Sequence, residues 1–324
     1  MKQHRSRTEP ALLGIVGPTG VGKTELAVEL ALRLGDTHLV NADSRQIIAG
    51  LRAGTCTPTA EELRGVPCHL LDLAQPGQLF TVADWLVRAR AVIDELHDSG
   101  LRVLLVGGSG LYIDALVDGF QLTPVPDAAL RRRREERART PAGLAVLADE
   151  LRGRDPEGAS SIDLANPRRV IRALEILDSG VAGLRSRRRE GGRDALLVGL
   201  DAPRDLHLGL LRRRAERLVL EGELLIEVER KRKQGVSDEA LARSGIGYSE
   251  ALAVLERSLS RQQAVLAIVQ RTWRYAQAQR TWFRRRSDVR WLHRVGPAMG
   301  EEPVNAALEL IRSERLLDAV NTNR

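Results

Sequence analysis

Residues 17–24, Gly17-Pro18-Thr19-Gly20-Val21-Gly22-Lys23-Thr24, place glycines, a lysine and a hydroxyl at the spacing G-x-x-x-x-G-K-[ST]. Glycines at these positions let successive backbone N–H groups turn inward around phosphate oxygens, while Lys23 adds a mobile charge and the Thr24 hydroxyl is placed to ligate Mg²⁺. Asp43, within Asn41-Ala42-Asp43-Ser44-Arg45-Gln46, is a carboxylate suited to general-base work or metal ligation, or equally to capping a helix. Val106-Gly107-Gly108-Ser109-Gly110 offers a hydroxyl and a backbone N–H at Ser109 beside a tight glycine turn. No acidic residue ends that stretch, which argues against an ordinary ATPase. Further along, Asn166-Pro167-Arg168-Arg169-Val170-Ile171-Arg172 begins a helix in which Arg168 and Arg172 share a face and Arg169 is offset. Such a run suits phosphate or RNA backbone, and it also suits a solvated face. Arg271–Tyr275 and Arg280–Arg286 combine tryptophan with arginine, a pairing that can stack and grip single-stranded RNA or can anchor a core through Trp273 and Trp282.

These groups need elements to carry them. Ala11–Val16 is a short apolar run read as a buried strand, and Thr24–Leu34 follows at helical spacing until Gly35. His38–Val40 reads as a second strand that delivers Asp43 to its carboxyl end. Thr81 and Asp84 form a capping-box pattern ahead of a helix that stops at Gly100, and Leu101–Val106 is a third strand. Strand and helix alternate, as in a parallel sheet covered by helices. The texture changes after Phe120, with Pro124 and Pro126 marking a break before the charged helical stretch Leu130–Arg154. Asn166–Leu177 is a further helix, Gly180–Asp194 a Gly/Arg-rich loop, and Ala195–Leu200 an apolar strand. The reading is an α/β fold with a P-loop NTPase-like parallel sheet over 1–121 and 166–324, interrupted by a helical insertion over 122–165.

Composition narrows the partners. The 324 residues hold 50 Lys+Arg against 43 Asp+Glu, a net charge of +7 that fits an anionic partner, nucleic acid first. An arginine-rich background gives the same balance. Cys56 and Cys68 are too few for a disulfide scaffold, and the histidines are scattered without metal-ligand spacing. Met1–Pro10 is polar, and no apolar run is long enough to span a bilayer, so a cytoplasmic protein without membrane contact is expected. The oligomeric state is not written in the sequence, and a monomer is the simplest expectation.

Taken in order, Gly17–Thr24, Asn41–Gln46, Gly54-Thr55 with Pro58, His69-Leu70-Leu71-Asp72, Val106–Tyr112, Pro167–Glu175, Gly247-Tyr248-Ser249-Glu250 and Tyr275-Ala276 with Thr281–Arg284 resemble the tRNA dimethylallyltransferase (tRNA isopentenyltransferase) family. The resemblance implies transfer of a dimethylallyl group from dimethylallyl diphosphate to N6 of the adenosine 3′ of the anticodon, with Mg²⁺ assisting through Thr24. It implies that Gly17, Pro18, Thr19, Gly20, Val21, Gly22, Lys23 and Thr24 hold diphosphate, that Asp43 is the base, and that Lys23 and Ser109 join it in catalysis. Asp43, Ser44, Arg45, Gln46, Ser109, Arg131, Arg168, Arg169 and Arg172 match tRNA-contacting positions, with the insertion closing on the anticodon stem-loop. This chain departs from the family pattern at Ile48, Thr57, Cys68 and Gln277-Ala278. It also has Leu210 where a diphosphate-gripping arginine is expected, with Arg212, Arg213 and Arg214 just beyond. Two other readings use the same residues: a small-molecule or nucleotide kinase with Arg168, Arg169 and Arg172 as a lid, and an RNA-binding protein descended from such an enzyme.

Overall fold

A computed structural model describes residues 12–119, 128–180 and 192–313 of the chain. The chain forms six parallel strands, most of them short runs rich in β-branched and leucine residues: β1 (Leu12–Val16), β2 (Thr37–Asn41), β3 (Cys68–His69), β4 (Arg102–Val106), β5 (Ala195–Asp201) and β6 (Val289–His293). They lie in the order β3-β2-β4-β1-β5-β6, each pairing with its neighbour in parallel. The strands expected around 11–16, 38–40, 101–106 and 195–200 are all present. The short β3 and the half-buried edge strand β6 lacked the continuous apolar run that announces a buried strand.

The chain separates into two compact units, Met1–Val117 with Arg193–Arg324, and Asp118–Gly192. In the first unit the helices before the break are α1 (Lys23–Leu34), α2 (Arg52–Thr55), α3 (Ala60–Leu63), α4 (Val82–Asp98) and α5 (Gly110–Val117). The second unit holds α6 (Ala128–Arg137), α7 (Pro141–Arg154), α8 (Pro156–Ser160) and α9 (Pro167–Asp178). The first unit resumes with α10 (Arg204–Val219), α11 (Glu223–Lys233), α12 (Asp238–Ser244), α13 (Tyr248–Leu255), α14 (Arg261–Arg284) and α15 (Glu301–Ser313). Among the described residues no helix is long and apolar enough to cross a membrane.

The second unit extends past the expected 122–165 because α9 belongs to it. Asn166 caps α9 by accepting from the Arg168 and Arg169 N–H groups, and its Val170, Ile171 and Leu174 pack with Leu147 and Leu151 of α7. Its apolar stripe is thus satisfied inside the smaller unit. The Pro124–Pro126 break, most of the Gly180–Asp194 loop and Met1–Pro10 lie outside the described residues.

Two of the apolar clusters in the larger unit bear on the site. One stacks Leu26 and Leu30 of α1 and Leu308 of α15 on Ile15, Leu104 and Val198 of the sheet. The other joins Leu218, Val228, Leu241, Tyr248 and Ile268 from the helices after β5 with Leu51. The predicted capping box at Thr81 is formed: the Asp84 N–H donates to the Thr81 hydroxyl, and the Asp84 carboxylate accepts from the Thr81 N–H.

What matters for function is register. Val106 lies opposite Ile15 on one side and Asn41 on the other, and Val16 lies opposite Gly199. The segments leaving β1, β2, β4 and β5 therefore emerge side by side at the carboxyl edge of the sheet, where open parallel sheets gather their ligands.

Candidate active site

The loop after β1 can turn as it does because its glycines occupy conformations closed to other residues. Gly17, Gly20 and Gly22 have φ of 130°, 82° and 96°. A Cβ on Gly17 would stand 2.3 Å from the Leu200 carbonyl oxygen, so the loop also lies against β5 too closely for a side chain. Gly20, Gly22, Lys23 and Thr24 line a cavity of about 520 Å³, together with Asp43, Gln46, Thr55, Cys56, Leu210, Arg214 and Arg217. Thr19 borders it as well, whereas Gly17, Pro18 and Val21 support the loop from outside the cavity.

Burial pulls the Lys23 ammonium down to about 8; Asp43 opposes that shift and Arg214 adds to it. Lys23 Nζ donates to the Pro18 carbonyl at 2.8 Å. Asp43 is held by local bonds: its N–H donates to Asn41 Oδ1 at 3.0 Å, and its Oδ1 accepts the Arg45 N–H at 2.9 Å. That second bond is the turn-forming role that a lone Asp after a strand can play. The helix-capping alternative does not hold, because residues 44–47 form a turn and the next helix begins only at Arg52; Asp43 also lines the cavity.

Ser109 sits beneath this turn. Its N–H donates to the Ala42 carbonyl at 3.2 Å and its hydroxyl accepts the Ser44 N–H at 2.9 Å. The backbone donor expected to face the crevice is therefore engaged by the neighbouring loop, and Ser109 positions the Asp43 segment. Gly107 permits this approach, because a Cβ there would fall 2.2 Å from the Ala42 carbonyl. Gln46 Nε2 donates to the Cys56 carbonyl at 2.8 Å, tying down the stretch that includes Thr55.

A second, smaller cavity of about 190 Å³ shares Thr19, Asp43, Thr55 and Arg214 with the first, and adds Arg45, Ile268 and Tyr275. Asp43 thus borders both. Burial, with Asp43 nearby, raises the Tyr275 phenol to about 12, so Tyr275 is a neutral wall.

Sequence reading left open which arginine serves where Leu210 stands. Leu210, Arg214 and Arg217 all line the larger cavity, one turn of α10 apart in succession. Arg214 is the one that also borders the smaller cavity beside Asp43. Arg212 is turned aside to Glu216, 2.9 Å away. Helical phase was a partial signal: Arg213 and Arg214, three and four residues beyond Leu210, share its side of the helix, and Arg212 does not, while only Arg214 of the two lines the cavity.

The remaining predicted residues belong to the second unit. Arg131 and Arg172 both hold the Glu175 carboxylate, at 3.3 and 3.1 Å, and Glu175 is 2% exposed. Arg168 and Arg169 are exposed on the first turn of α9. In the aromatic and basic stretch of α14, Arg280 is buried against Asp201 and lies 5.1 Å above the Trp273 ring, while Trp282 Nε1 donates to Asp114 at 2.9 Å. Trp273 is half-buried and Trp282 is exposed, so the pair is not a core anchor; Arg271, Arg274, Arg284 and Arg285 are exposed as well. One pairing escaped the sequence altogether: β2 and β3 bring His38 Nδ1 to 3.0 Å from His69 Nε2.

As to a metal, the described residues contain no group of three or more His, Cys, Asp or Glu side chains able to hold one. Glu25, next to Thr24, is bound to Arg294 and to the Met299 N–H. The Thr24 hydroxyl, on a residue that lines the cavity, is the donor this loop type offers Mg²⁺, with substrate phosphates and water to complete the shell.

Fold and site define a P-loop α/β protein whose loop residues share the lining of one cavity with the Asp43 carboxylate. The chain belongs to the IPP transferase family, whose model matches residues 46–286. It is 40% identical over 297 residues to a tRNA dimethylallyltransferase of Thermomicrobium roseum, covering 90% of this chain and 88% of that one. A tRNA dimethylallyltransferase of Bacillus velezensis is 36% identical over 313 residues, 95% of this chain and 98% of the relative. Among solved structures, the full-length tRNA isopentenylpyrophosphate transferase of Bacillus halodurans superposes with a TM-score of 0.68 at 33% identity, over 96% of this chain and 98% of that one.

Proposed function

We propose that the protein is a tRNA dimethylallyltransferase, moving a dimethylallyl group from dimethylallyl diphosphate to N6 of the adenosine 3′ of the anticodon and releasing diphosphate. The observation that carries this reading is that Lys23, Thr24 and Asp43 line one cavity. A kinase would use the same loop, but family membership and the second cavity at Asp43 favour an acceptor that enters from the other side.

The allylic C–O bond breaks easily once charge on the leaving oxygen is stabilised, so preorganised donors are the main requirement. The loop N–H groups at Gly20 and Gly22, the Lys23 ammonium and the Arg214 guanidinium supply them. As the amine nitrogen bonds to the allylic carbon, its proton becomes acidic and passes to the Asp43 carboxylate. The products are the N6-substituted adenosine, diphosphate and one proton. Mg²⁺, held by the Thr24 hydroxyl and phosphate oxygens, would add charge neutralisation at the leaving group. Arg168 and Arg169 offer exposed cations for the tRNA backbone, and Arg131 and Arg172 keep part of their charge at the surface while bracing Glu175. A cytoplasmic, monomeric enzyme fits this reading.

The test is incubation with Mg²⁺, labelled dimethylallyl diphosphate and unmodified tRNA bearing that adenosine. Label on the adenosine, with diphosphate released, is expected. A folded sample that binds tRNA and pyrophosphate yet transfers nothing would overturn the reading.

A further inference from the structure

Behind the phosphate loop, away from the cavity, lies a connected series of buried polar groups that the reaction above does not use. Asp201 ends β5, His207 is on the first turns of α10, and Arg280 is on α14; they are 3%, 0% and 7% exposed. Both Asp201 oxygens accept from Arg280 Nε, at 2.8 and 2.9 Å. Arg280 Nη2 lies 2.6 Å from His207 Nδ1, and His207 Nε2 lies 2.8 Å from the Thr19 carbonyl oxygen.

The protons in this series are fixed by donor inventory. A guanidinium only donates, so His207 Nδ1 must accept, and the single imidazole proton sits on Nε2, aimed at Thr19. Burial lowers the His207 basicity, and Arg280 lowers it further. The ring is therefore a neutral N–H donor of one orientation, with Trp273 edge-on at 5.4 Å closing its side.

The target is a backbone group whose direction matters. In a trans peptide the C=O and the following N–H point opposite ways. Drawing the Thr19 carbonyl toward His207 therefore turns the Gly20 N–H away from it, toward the cavity that Gly20 lines. The preceding peptide is pinned too: the Thr19 N–H donates to Gln279 Oε1 at 2.8 Å, and the Pro18 carbonyl accepts from Lys23. Gln279 in turn donates to the Gly108 carbonyl at 2.8 Å, linking the loops after β1 and β4. Gly20, at φ 82°, has no steric preference of its own to hold this arrangement.

We propose that Asp201, Arg280 and His207 form a positioning device for the phosphate loop, in which the His207 Nε2–H fixes the Thr19 carbonyl so that the Gly20 N–H faces diphosphate. The proposal rests on the diphosphate-binding reading of the loop, and its test reads the loop without requiring transfer. Inorganic pyrophosphate with Mg²⁺ is titrated into the wild-type protein, His207→Asn and His207→Gln, with melting followed in parallel. Asn keeps an acceptor for Arg280 but loses the donor at the Nε2 position; Gln places an amide N–H there. A loop that loses one oriented donor should bind about tenfold more weakly. The expected result is that loss in His207→Asn, recovery to within about threefold in His207→Gln, and the same order in KM for dimethylallyl diphosphate. Equal binding by wild type and His207→Asn, or equal loss in both variants, would overturn the proposal. Should the variants fail to fold, ¹⁵N-histidine spectra of the wild type at pH 7 decide instead: a protonated Nδ1 on His207 refutes it, and an Nε2–H tautomer supports it. A wild type that binds pyrophosphate but transfers no label would sink the reaction and leave this comparison intact.

Discussion

Lys23→Met should make the protein more stable while disabling it. The Lys23 side chain is almost wholly buried, and burial pulls its pKa from 10.5 to about 8. At roughly 1.4 kcal/mol per unit, that shift amounts to about 3 kcal/mol of destabilisation carried by the charged form at neutral pH. The hydrogen bond to Pro18 offsets about 1 kcal/mol of this, leaving about 2 kcal/mol to be recovered by an isosteric apolar chain. For a unit of this size the gain corresponds to a Tm rise of about 4 °C. The sign follows from proton binding. Below about 8 both folded and unfolded states are protonated at Lys23 and the wild type bears the full penalty. Between about 8 and 10.5 the unfolded state binds more protons, so wild-type stability climbs with pH and the advantage of the variant shrinks. Urea unfolding of both proteins at pH 7 and pH 9.5 measures the difference, and pyrophosphate added at pH 7 should stabilise the wild type far more than the variant. Turnover should fall on the order of a hundredfold or more. A variant less stable than the wild type at pH 7, or an advantage unchanged at pH 9.5, would refute the argument that this lysine is held charged against its burial.

Asp43→Ala should abolish transfer and leave pyrophosphate and tRNA binding within a few fold, measured by labelled transfer beside filter binding; retained turnover would remove Asp43 from the base role. Arg214→Ala should weaken pyrophosphate binding on the order of tenfold or more, as loss of a charged hydrogen-bond partner does, while Arg212→Ala should change it little, and calorimetry on both would expose a reversed order. Charge reversal at Arg168 and Arg169 should weaken tRNA binding, flatten its salt dependence and leave Tm unchanged, because both side chains are exposed. Glu175→Ala should instead lower stability by about 2 kcal/mol or more in chemical denaturation, since Arg131 and Arg172 lose a buried partner.

The local physics of Gly17–Thr24 was complete in the sequence: positive-φ glycines and a lysine opening a helix dictate a phosphate loop wherever an apolar strand precedes them. Asp43 was legible for a similar reason, since a polar turn directly after a buried strand must emerge at the carboxyl edge of a parallel sheet. The apolar runs of β1, β2, β4 and β5 announced themselves, while β3 and β6 did not, because a two-residue strand and a half-exposed edge carry no period to read. Long-range contact decided the rest. Only the packing of α10 beside the loop shows that Arg214 lines the cavity and Arg213 does not, and only the docking of α14 turns Arg280 from an apparent RNA-binding cation into a buried partner of Asp201. Arginine in a sequence carries charge and reach but no direction. Direction comes from which helix face is buried, and that is set by residues far away in the chain.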